Sequence, residues 1–325
     1  MKVLVVGGAG FIGSHMTLAL AEAGHEAVVL DDLSSGREDA VLGARLVVGS
    51  IADAQLLDRL FKAERFDGVL HFASLIQVGE SVREPAKYYA NNLANTLTLL
   101  DAMVRHGVRR FIFSSTAAIF GNPERVPIDE AAAERPINPY GRTKWMVEHA
   151  LRDFDAAYGL RSVCLRYFNA AGADPRARIG ENHEPESHLI PLALQAASGR
   201  RSSLQVYGRD YDTPDGTCIR DYIHVTDLCA AHLGALERLR DGGASAAYNL
   251  GNGNGFSVQN VIDVVGKVTG RPIRVEDAPR RAGDPPRLVA DARRARAELG
   301  WQPRYADLEA MVAHAWAWEQ KRPAH

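Results

Sequence analysis

The stretch Lys2-Val-Leu-Val-Val6 and the glycine run Gly7-Gly8-Ala9-Gly10-Phe11-Ile12-Gly13 that follows it decide the fold of this chain. The apolar run predicts a β-strand, and the residues after the glycines predict a helix that stops at Gly24-His25. A second strand, Ala27-Val-Val-Leu30, ends on the carboxylates of Asp31-Asp32. A strand, a glycine turn, a helix, a strand and an acid in this order predict a dinucleotide-binding βαβ unit.

Three glycines of this unit have separate predicted tasks. Gly7 permits the tight turn, Gly10 lets a pyrophosphate approach the backbone, and Gly13 lets the helix pack closely on the sheet. The helix N-terminus then offers free N–H groups and a partial positive charge to the phosphates. The spacing is G-x-x-G-x-x-G, and in a chain with 29 glycines a plain surface turn is the alternative.

Asp31 lies where the second predicted strand ends, a position that selects between the two nicotinamide dinucleotides. A carboxylate there accepts a hydrogen bond from a ribose 2′-hydroxyl and repels a 2′-phosphate, so the sequence predicts NAD rather than NADP. Arg37 is near in sequence and is the one feature that favours a 2′-phosphate. The alternative for Asp31 is a solvated carboxylate that caps a loop.

The composition excludes several classes of protein. The chain has 325 residues, 46% of them hydrophobic, and a net charge of −2, which offers no bulk attraction to nucleic acid or an anionic membrane. The 3 cysteines show no C-x-x-C spacing, which is typical of a reducing compartment, and we expect no metal site. The immediate first strand leaves no room for a signal peptide and no apolar run reaches membrane length, so we expect a soluble cytoplasmic protein.

Strands and helices alternate over the first half of the chain. Further strands are predicted at 45–48, 67–72, 110–114 and 162–166, with helices at 52–64, 85–106 and 138–158. This alternation predicts an α/β protein with a Rossmann-type, doubly wound parallel sheet covered on both faces. Ligands of such sheets bind beyond the carboxyl ends of the strands, so residues 71–74, 114–116 and 167–169 should meet in one crevice.

The sequence changes character near residue 170. Residues 172–187 form a polar loop of a length usually reserved for binding, and the regular alternation then ends. We predict a dinucleotide-binding domain at 1–170, to which 219–236 returns with Ile219–Val225 in its sheet, and a smaller α/β substrate domain at 171–325. Gly251-Asn-Gly-Asn-Gly255 is predicted to be a plain turn rather than a phosphate loop.

Asn138-Pro139-Tyr140-Gly141-Arg142-Thr143-Lys144 opens the helix at 138–158 and carries the chemistry. Tyr140 and Lys144 are one turn apart on an apolar stripe that points inward. A buried lysine favours the ionised form of a neighbouring tyrosine, so we expect a lowered pKa at Tyr140 and a general base. The alternative is a packed tyrosine beside a snorkelling lysine. Ser114-Ser115-Thr116 ends the fifth strand with hydroxyls that can bond a substrate oxygen and relay its proton to Tyr140.

The glycine loop, Ser114-Ser115-Thr116 and Tyr140-x-x-x-Lys144 together resemble the extended short-chain dehydrogenase/reductase family. Longer strings, spread from residue 2 to about 305, resemble the UDP-glucose 4-epimerases within that family. They are His71-Phe-Ala, Val78-Gly-Glu-Ser81, Tyr88-Tyr-x-Asn-Asn92, Leu165-Arg-Tyr-Phe-Asn169, His188-Leu-Ile-Pro191, Gly208-x-Asp-Tyr-x-Thr-x-Asp-Gly216, Arg220-Asp-Tyr-Ile-His224 and Arg280-Arg-x-Gly-Asp284.

This resemblance implies an NAD-dependent isomerase that interconverts UDP-glucose and UDP-galactose, with residues 171–325 as the UDP-sugar-binding domain and a homodimer as the assembly. C4 of the sugar is oxidised, the 4-keto sugar rotates, and hydride returns to the opposite face. Tyr140 would be the base for the 4-hydroxyl, Thr116 its hydrogen-bond relay, and Lys144 a ligand of the nicotinamide ribose.

The resemblance also implies two sets of binding residues. The NAD contacts would be Gly7, Gly10, Phe11, Ile12, Gly13, Asp31, Ser50, Ile51, Phe72, Ala73, Asn92, Ser114, Tyr140, Lys144 and Tyr167. The UDP-sugar contacts would be Thr116, Asn169, His188, Leu189, Tyr207, Arg220, Arg281 and Asp284.

Four positions depart from, or vary within, the family pattern. Thr116 stands where some members have a serine, which keeps the hydroxyl. Ser50 stands where an aspartate commonly contacts adenine, and Ile76 stands where some members carry a lysine near the cofactor. Leu288 stands where side-chain size varies beside the sugar, and leucine is intermediate between the aromatic and the small residues of other members. This predicts a strong preference for UDP-glucose and UDP-galactose over N-acetylhexosamines.

Two other functions stay open at this point. A nucleotide-sugar 4,6-dehydratase would place an Asp-Glu pair directly after the strand-five threonine, whereas Ala117-Ala118 follows Thr116 here. A non-catalytic NAD-sensing module on the same fold would have no need of the Tyr140–Lys144 pair, which this chain retains.

Overall fold

The computed structural model describes residues 1–281 and 284–322. The strands are β1 Lys2–Val6, β2 Glu26–Asp31, β3 Arg45–Val48, β4 Gly68–His71, β5 Arg110–Ser114, β6 Arg161–Tyr167, β7 Asn169–Ala171, β8 Leu204–Tyr207, β9 Ile219–Arg220, β10 Tyr222–His224, β11 Ala246–Leu250, β12 Phe256–Ser257, β13 Val275–Ala278 and β14 Arg287–Leu288. The helices are α1 Phe11–Glu22, α2 Ala54–Ala63, α3 Val78–Arg83, α4 Pro85–Tyr88, α5 Asn95–Arg105, α6 Pro139–Tyr158, α7 Leu189–Ser198, α8 Val225–Arg240, α9 Val258–Thr269, α10 Arg293–Leu299 and α11 Leu308–Lys321. Short 3-10 turns occupy Glu38–Ala40 and Ala117–Phe120.

The main sheet has seven strands within the described residues, in the order β3-β2-β1-β4-β5-β6-β11. Every neighbouring pair is parallel, and Val5 of β1 is in register with Val29 of β2 and Leu70 of β4. The strand order reverses between β1 and β4, which opens a crevice at the carboxyl ends of these two strands. The predicted α/β, doubly wound fold is confirmed.

Alternate side chains of the strands pack on opposite faces of this sheet. Val3 and Val5 contribute to a core with α1 and α8, whereas Leu4 and Val6 contribute to a core with α2, α5 and α6. Near-continuous Val and Leu in the strands is what a sheet buried on both faces requires. None of the described helices is both long and apolar enough to cross a membrane.

The second half of the chain builds a separate core from α7, α9 and α11, with β8 and β13 paired alongside. The prediction that Ile219–Val225 returns to the main sheet is wrong. β10 pairs with β7, and β9 pairs with β12 and β14, in two small separate sheets. The seventh strand of the main sheet is β11, and the return to that sheet is made by α8, which packs on α1, β5 and β6. The domain division itself stays a prediction.

The helix predicted at 85–106 is interrupted. Tyr89–Ala94 is a π-helical segment between α4 and α5. Here the side chain of Asn92 accepts a hydrogen bond from Leu75 N at 2.9 Å and donates one to Leu75 O at 2.9 Å. π-Helical turns are frequent beside functional sites, and this one ties the helix to the segment that follows β4.

Candidate active site

One cavity of about 490 Å³ lies at the carboxyl ends of the central strands. Its glycine-loop side is lined by predicted cofactor residues, namely Gly7, Gly10, Phe11, Ile12, Gly13, Asp31, Ser50, Ile51, Phe72, Ala73, Ser114, Tyr140, Lys144 and Tyr167. The cavity is also lined by Asn169, His188, Arg220 and Leu288. We call these four residues, together with Tyr207, Arg281 and Asp284, the arginine side. Thr116 also lines the cavity.

The glycine loop is shaped by close backbone contacts. Gly7 has φ +78°, and a Cβ there would lie 2.5 Å from Ala73 N. A Cβ on Gly13 would lie 2.0 Å from Gly7 O, so the start of α1 approaches the turn more closely than a side chain allows. At Gly10 a Cβ would meet only Gly7 O, at 3.5 Å, and Gly10 itself faces the cavity. This cradle, with the first N–H groups of α1 beside it, fits an anionic pyrophosphate.

Asp31 is held in place by the backbone around it. One carboxylate oxygen accepts from Ala9 N at 2.9 Å and the other from Leu33 N at 2.9 Å. Burial raises the pKa of Asp31, and these two N–H groups oppose the rise. Arg37 donates to Asp39 at 3.0 and 2.8 Å. The arrangement fits a ribose 2′-hydroxyl.

Helix α6 delivers Tyr140 and Lys144 to the cavity. Asn138 caps the helix by accepting from Gly141 N at 2.8 Å, and Pro139 occupies the first turn. The buried Lys144 donates from Nζ to Ser74 Oγ and to the carbonyl of Ser114, both at 2.7 Å. Burial lowers the pKa of Lys144 to about 7.

The pKa of Tyr140 departs from the expected direction. Burial of the phenol raises it, and the hydroxyl of Thr116 opposes that rise. The expected lowering by Lys144 is wrong for the protein alone. The physical reason is that desolvation dominates, while the Lys144 ammonium is directed to Ser74 and Ser114. Among the described residues, the Thr116 hydroxyl is the group that opposes this rise and so favours ionisation of Tyr140.

The hydroxyls that end β5 have different partners. Ser114 bonds the hydroxyl of Tyr167, and Ser115 Oγ donates to Glu148. Thr116 Oγ accepts from Ala118 N at 3.1 Å and caps the 3-10 turn at Ala117–Phe120. Of these three, Thr116 is the hydroxyl that acts on Tyr140.

Beneath these hydroxyls lies an ion network that sequence reasoning missed. Arg166, 2% exposed, pairs with Glu148, also 2% exposed, and with Glu134. Glu148 follows Lys144 by one helical turn, and Ser115 is bonded to the same carboxylate. The sequence could have indicated this network, because Glu148 places a charge one helical turn after Lys144 on the inward-facing stripe.

Several predicted residues lie outside the cavity lining. Asn92 lies behind the wall, where it holds Leu75 and donates to Thr143 at 3.3 Å. Leu189, Tyr207, Arg281 and Asp284 are also absent from the lining within the described residues.

On the arginine side the predicted ligands engage one another. Arg281 lies 4.1 Å over the ring of Tyr207, and Arg220 forms an ion pair with Asp284. The side chain of Asn169 donates to the carbonyl of Asp221 at 3.0 Å. Tyr207 thus contacts Arg281, and Arg220 contacts Asp284. Neither Arg281 nor Tyr207 lines the cavity.

His188 belongs to a cluster with Glu181, His183 and Glu186 in the loop before α7. Burial acts to lower the pKa of His188, but the Glu181 carboxylate outweighs it and raises that pKa to about 9. His183, Glu184 and Pro185 line the cavity next to the glycine loop.

Comparison with known proteins agrees with this site. Residues 3–251 match the profile of the NAD dependent epimerase/dehydratase family. A curated relative, the UDP-glucose 4-epimerase of Halalkalibacterium halodurans, is 53% identical over 323 residues, which cover 99% of this chain and 97% of the relative.

Solved structures match as closely. The UDP-glucose 4-epimerase from Brucella ovis in complex with NAD has a TM-score of 0.95 and 51% identity, and the match covers 97% of each chain. The one from Bifidobacterium longum in complex with NAD+ and UDP has a TM-score of 0.94 and 39% identity, and the match covers 99% of each chain. These matches confirm the resemblance drawn from the motifs, and the chain belongs to the NAD dependent epimerase/dehydratase family.

Proposed function

We propose that this protein interconverts UDP-glucose and UDP-galactose with NAD as its cofactor. The observation that carries the proposal is one continuous cavity. It is lined by the glycine loop, by Tyr140 and Thr116, and by Arg220. The relatives and solved structures named above are UDP-glucose 4-epimerases, which supports the same activity here.

The residues of the glycine-loop side fit NAD. Gly10 would leave room for the pyrophosphate, Asp31 would accept a hydrogen bond from a ribose hydroxyl, and Lys144 Nζ, held between Ser74 and Ser114, would bond the nicotinamide ribose. The cofactor would supply the hydride acceptor for C4 of the sugar and the donor for the return of hydride to the opposite face. Residues 1–170, together with α8, would form the NAD-binding domain, and 171–325 would supply the UDP-sugar contacts.

Tyr140 acts as the general base in this proposal. It takes the proton of the sugar 4-hydroxyl and gives it back after the sugar has turned. The Thr116 hydroxyl hydrogen-bonds the 4-oxygen of the sugar and also stabilises the ionised phenol of Tyr140. Burial raises the pKa of Tyr140, and the Thr116 hydrogen bond opposes that rise and so favours the active, ionised form.

The arginine side anchors the diphosphate while the 4-keto sugar rotates. The planar guanidinium groups of Arg220 and Arg281 suit bidentate contact with phosphate oxygens, and Asn169 adds an amide. Tyr207 would lie against uracil and Asp284 would bind the uridine ribose. An anchored diphosphate keeps the reacting carbon close to the same base in both poses.

Leu288 sets the sugar preference in this proposal. It lines the cavity, so its volume limits the group at C2 of the sugar. We expect strong preference for UDP-glucose and UDP-galactose, with weak activity on UDP-N-acetylglucosamine. Comparable turnover numbers for the two substrate types would contradict this, and Leu288→Ala should raise the N-acetyl activity selectively.

The activity is tested with purified protein and no added cofactor. UDP-galactose carrying deuterium at C4 should be converted to UDP-glucose with the label still at C4, because hydride never leaves the protein. Loss of the label to solvent, or release of NADH in proportion to turnover, would contradict the proposed epimerase activity and indicate a net oxidoreductase.

We further propose a homodimer in the cytoplasm. The family resemblance assigns the dimer contact to 85–106 and 138–158, and Val78 and Val82 leave apolar side chains exposed beside it. All three cysteines are free and buried, as in proteins of a reducing compartment. Light scattering on the eluted protein distinguishes a dimer from a monomer.

A further inference from the structure

Four side chains in the loop before α7 bring potential metal ligands together. One ligand atom from each of Glu181, His183, Glu186 and His188 lies within 4.8 Å of all the others. His183 Nδ1 is 3.0 Å from Glu181 Oε1, and His188 Nδ1 contacts the same oxygen. His188 Nδ1 is also 3.8 Å from Glu186 Oε1. Both imidazoles thus present Nδ1 to Glu181, and that of His188 also lies near Glu186.

The hydrogen bonds within this cluster leave one buried oxygen of Glu186 without a donor. The side chain of Glu186 is 4% exposed. Oε1 accepts from the backbone N–H of Ser187 at 2.7 Å and of His188 at 2.9 Å, but Oε2 is buried without a partner. A buried carboxylate oxygen without a donor is costly, and the backbone contacts to Oε1 hold the carboxylate in a fixed direction.

The spacing matches the ligand shell of a small divalent cation. Bonds of about 2.0–2.2 Å in a tetrahedron place neighbouring ligand atoms roughly 3.4 Å apart. Two distances in the cluster, 3.0 and 3.8 Å, lie on either side of that value, whereas His188 Nδ1 and Glu181 Oε1 are closer and would have to separate as the ion enters. Two carboxylates balance a double positive charge, and imidazole, in the deprotonated form that binds metals, favours zinc-like metals over magnesium or calcium.

We propose that Glu181, His183, Glu186 and His188 bind one divalent transition-metal ion of the zinc class. The ion can enter from solvent, because the side chains of His183 and His188 are 23% and 35% exposed. The site departs from the absence of a metal expected from the sequence. It is distinct from the chemistry at Tyr140 and does not depend on the proposed epimerase activity.

A bound ion would fix the loop over the cavity. The ring of His183 meets the ring of Phe11 edge-on with centroids 6.4 Å apart, directly beside the glycine loop. The carbonyl of Glu181 accepts from Trp318 Nε1 at 3.0 Å, which ties the other end of the cluster to α11. Cross-linking four loop side chains through one ion would therefore hold the loop between α1 and α11.

The test titrates the purified protein, with its bound NAD, with Co²⁺ and records visible absorption. We expect one equivalent to bind with the intense bands of a four-coordinate site, and Zn²⁺ to displace it while Mg²⁺ does not. Glu186→Gln and His183→Gln should each weaken Co²⁺ binding by more than about 10-fold, since even outer-shell changes cost 10–100-fold. His106→Gln is the matched control, because His106 also contacts a carboxylate, Asp58, at 2.8 Å on a distant surface.

Two further readouts separate metal binding from loss of fold. NAD content and circular dichroism should be unchanged in both variants. Backbone hydrogen exchange at 181–188 should slow when Zn²⁺ is added to the parent protein and to His106→Gln, but not to Glu186→Gln. Absence of a Co²⁺ spectrum in the parent protein would overturn the proposal. Equal affinity in the parent and in both cluster variants would overturn it as well.

Discussion

On the glycine-loop side of the cavity, the residues that would hold NAD already lie in place, fixed by backbone contacts at Gly7 and Asp31 and by the Lys144 hydrogen bonds. On the arginine side, Arg281 stacks on Tyr207 outside the cavity, and Arg220 is paired with Asp284. The two sides differ in how far the protein alone has organised them.

The difference follows from where the residues sit in the chain. The glycine loop is one continuous βαβ unit whose turn, helix start and strand end are set by local geometry. The arginine side draws on residues 169, 188, 207, 220, 281 and 284, whose side chains come from separate short strands and loops. Long arginine side chains reposition at modest cost, so we infer that this side rearranges when the diphosphate arrives.

The largest expected effect is at Tyr140, between the two sides. Tyr140→Phe removes one oxygen from a packed ring, so NAD content should stay as in the parent protein. Turnover should fall by the ~10²–10⁴ expected for a lost general base. Epimerisation rate and bound NAD are measured on the same preparation. Activity within threefold of the parent protein would contradict the assignment of Tyr140.

The rigidity of the glycine-loop side is tested at the ion network beneath it. Arg166→Met leaves the buried Glu148 carboxylate without its cation and removes one cation from Glu134, which should lower the free energy of unfolding by about 3–5 kcal/mol. Arg105→Met is the control, since Arg105 is 41% exposed, and its ion pairs should contribute less than about 1 kcal/mol. Urea unfolding measures both, and equal losses would show that the buried network does not stabilise this side.

Sequence reasoning succeeded where the pattern is local. The strands that carry the glycine loop, Asp31 and the Ser114–Thr116 hydroxyls were predicted to within one residue of their bounds. It failed where structure depends on distant partners. β9 and β10 are two- and three-residue strands that exist only through pairing with β7, β12 and β14, and β11 follows a long departure from the alternating pattern.

The candidate site shows the same division. The break in the helix at 89–94 depends on Asn92 reaching Leu75, a contact that no helical periodicity reveals. The Glu181–His188 cluster could have been found, because two histidines and three glutamates lie within eight residues of sequence. Its significance depends on burial, which composition does not give.

The rearrangement of the arginine side is tested at Arg281. Arg281→Ala removes a charge-assisted phosphate contact and should weaken UDP binding by on the order of 2–3 kcal/mol, without loss of NAD. Calorimetric titration with UDP measures the affinity. Arg274→Ala is the control, since Arg274 is an exposed arginine that contacts Glu276. Loss of NAD with retained UDP affinity would place Arg281 on the glycine-loop side instead.

The smallest expected effect is a shift in pH dependence at Thr116, where the two sides meet. The Thr116 hydroxyl opposes the rise that burial imposes on the pKa of Tyr140. A base must lose its proton to act, so the rate rises with pH through that pKa, and kcat/KM reports it for the enzyme before substrate binds. Thr116→Val removes the opposing hydrogen bond, which raises the pKa further and moves the acidic limb of the profile to higher pH. Thr116→Ser keeps the hydroxyl and should keep the acidic limb where it is.

An acidic limb that stays in place in Thr116→Val, or that moves to lower pH, would show that Thr116 does not act on Tyr140. The ionisation of the phenol would then depend on the glycine-loop side alone.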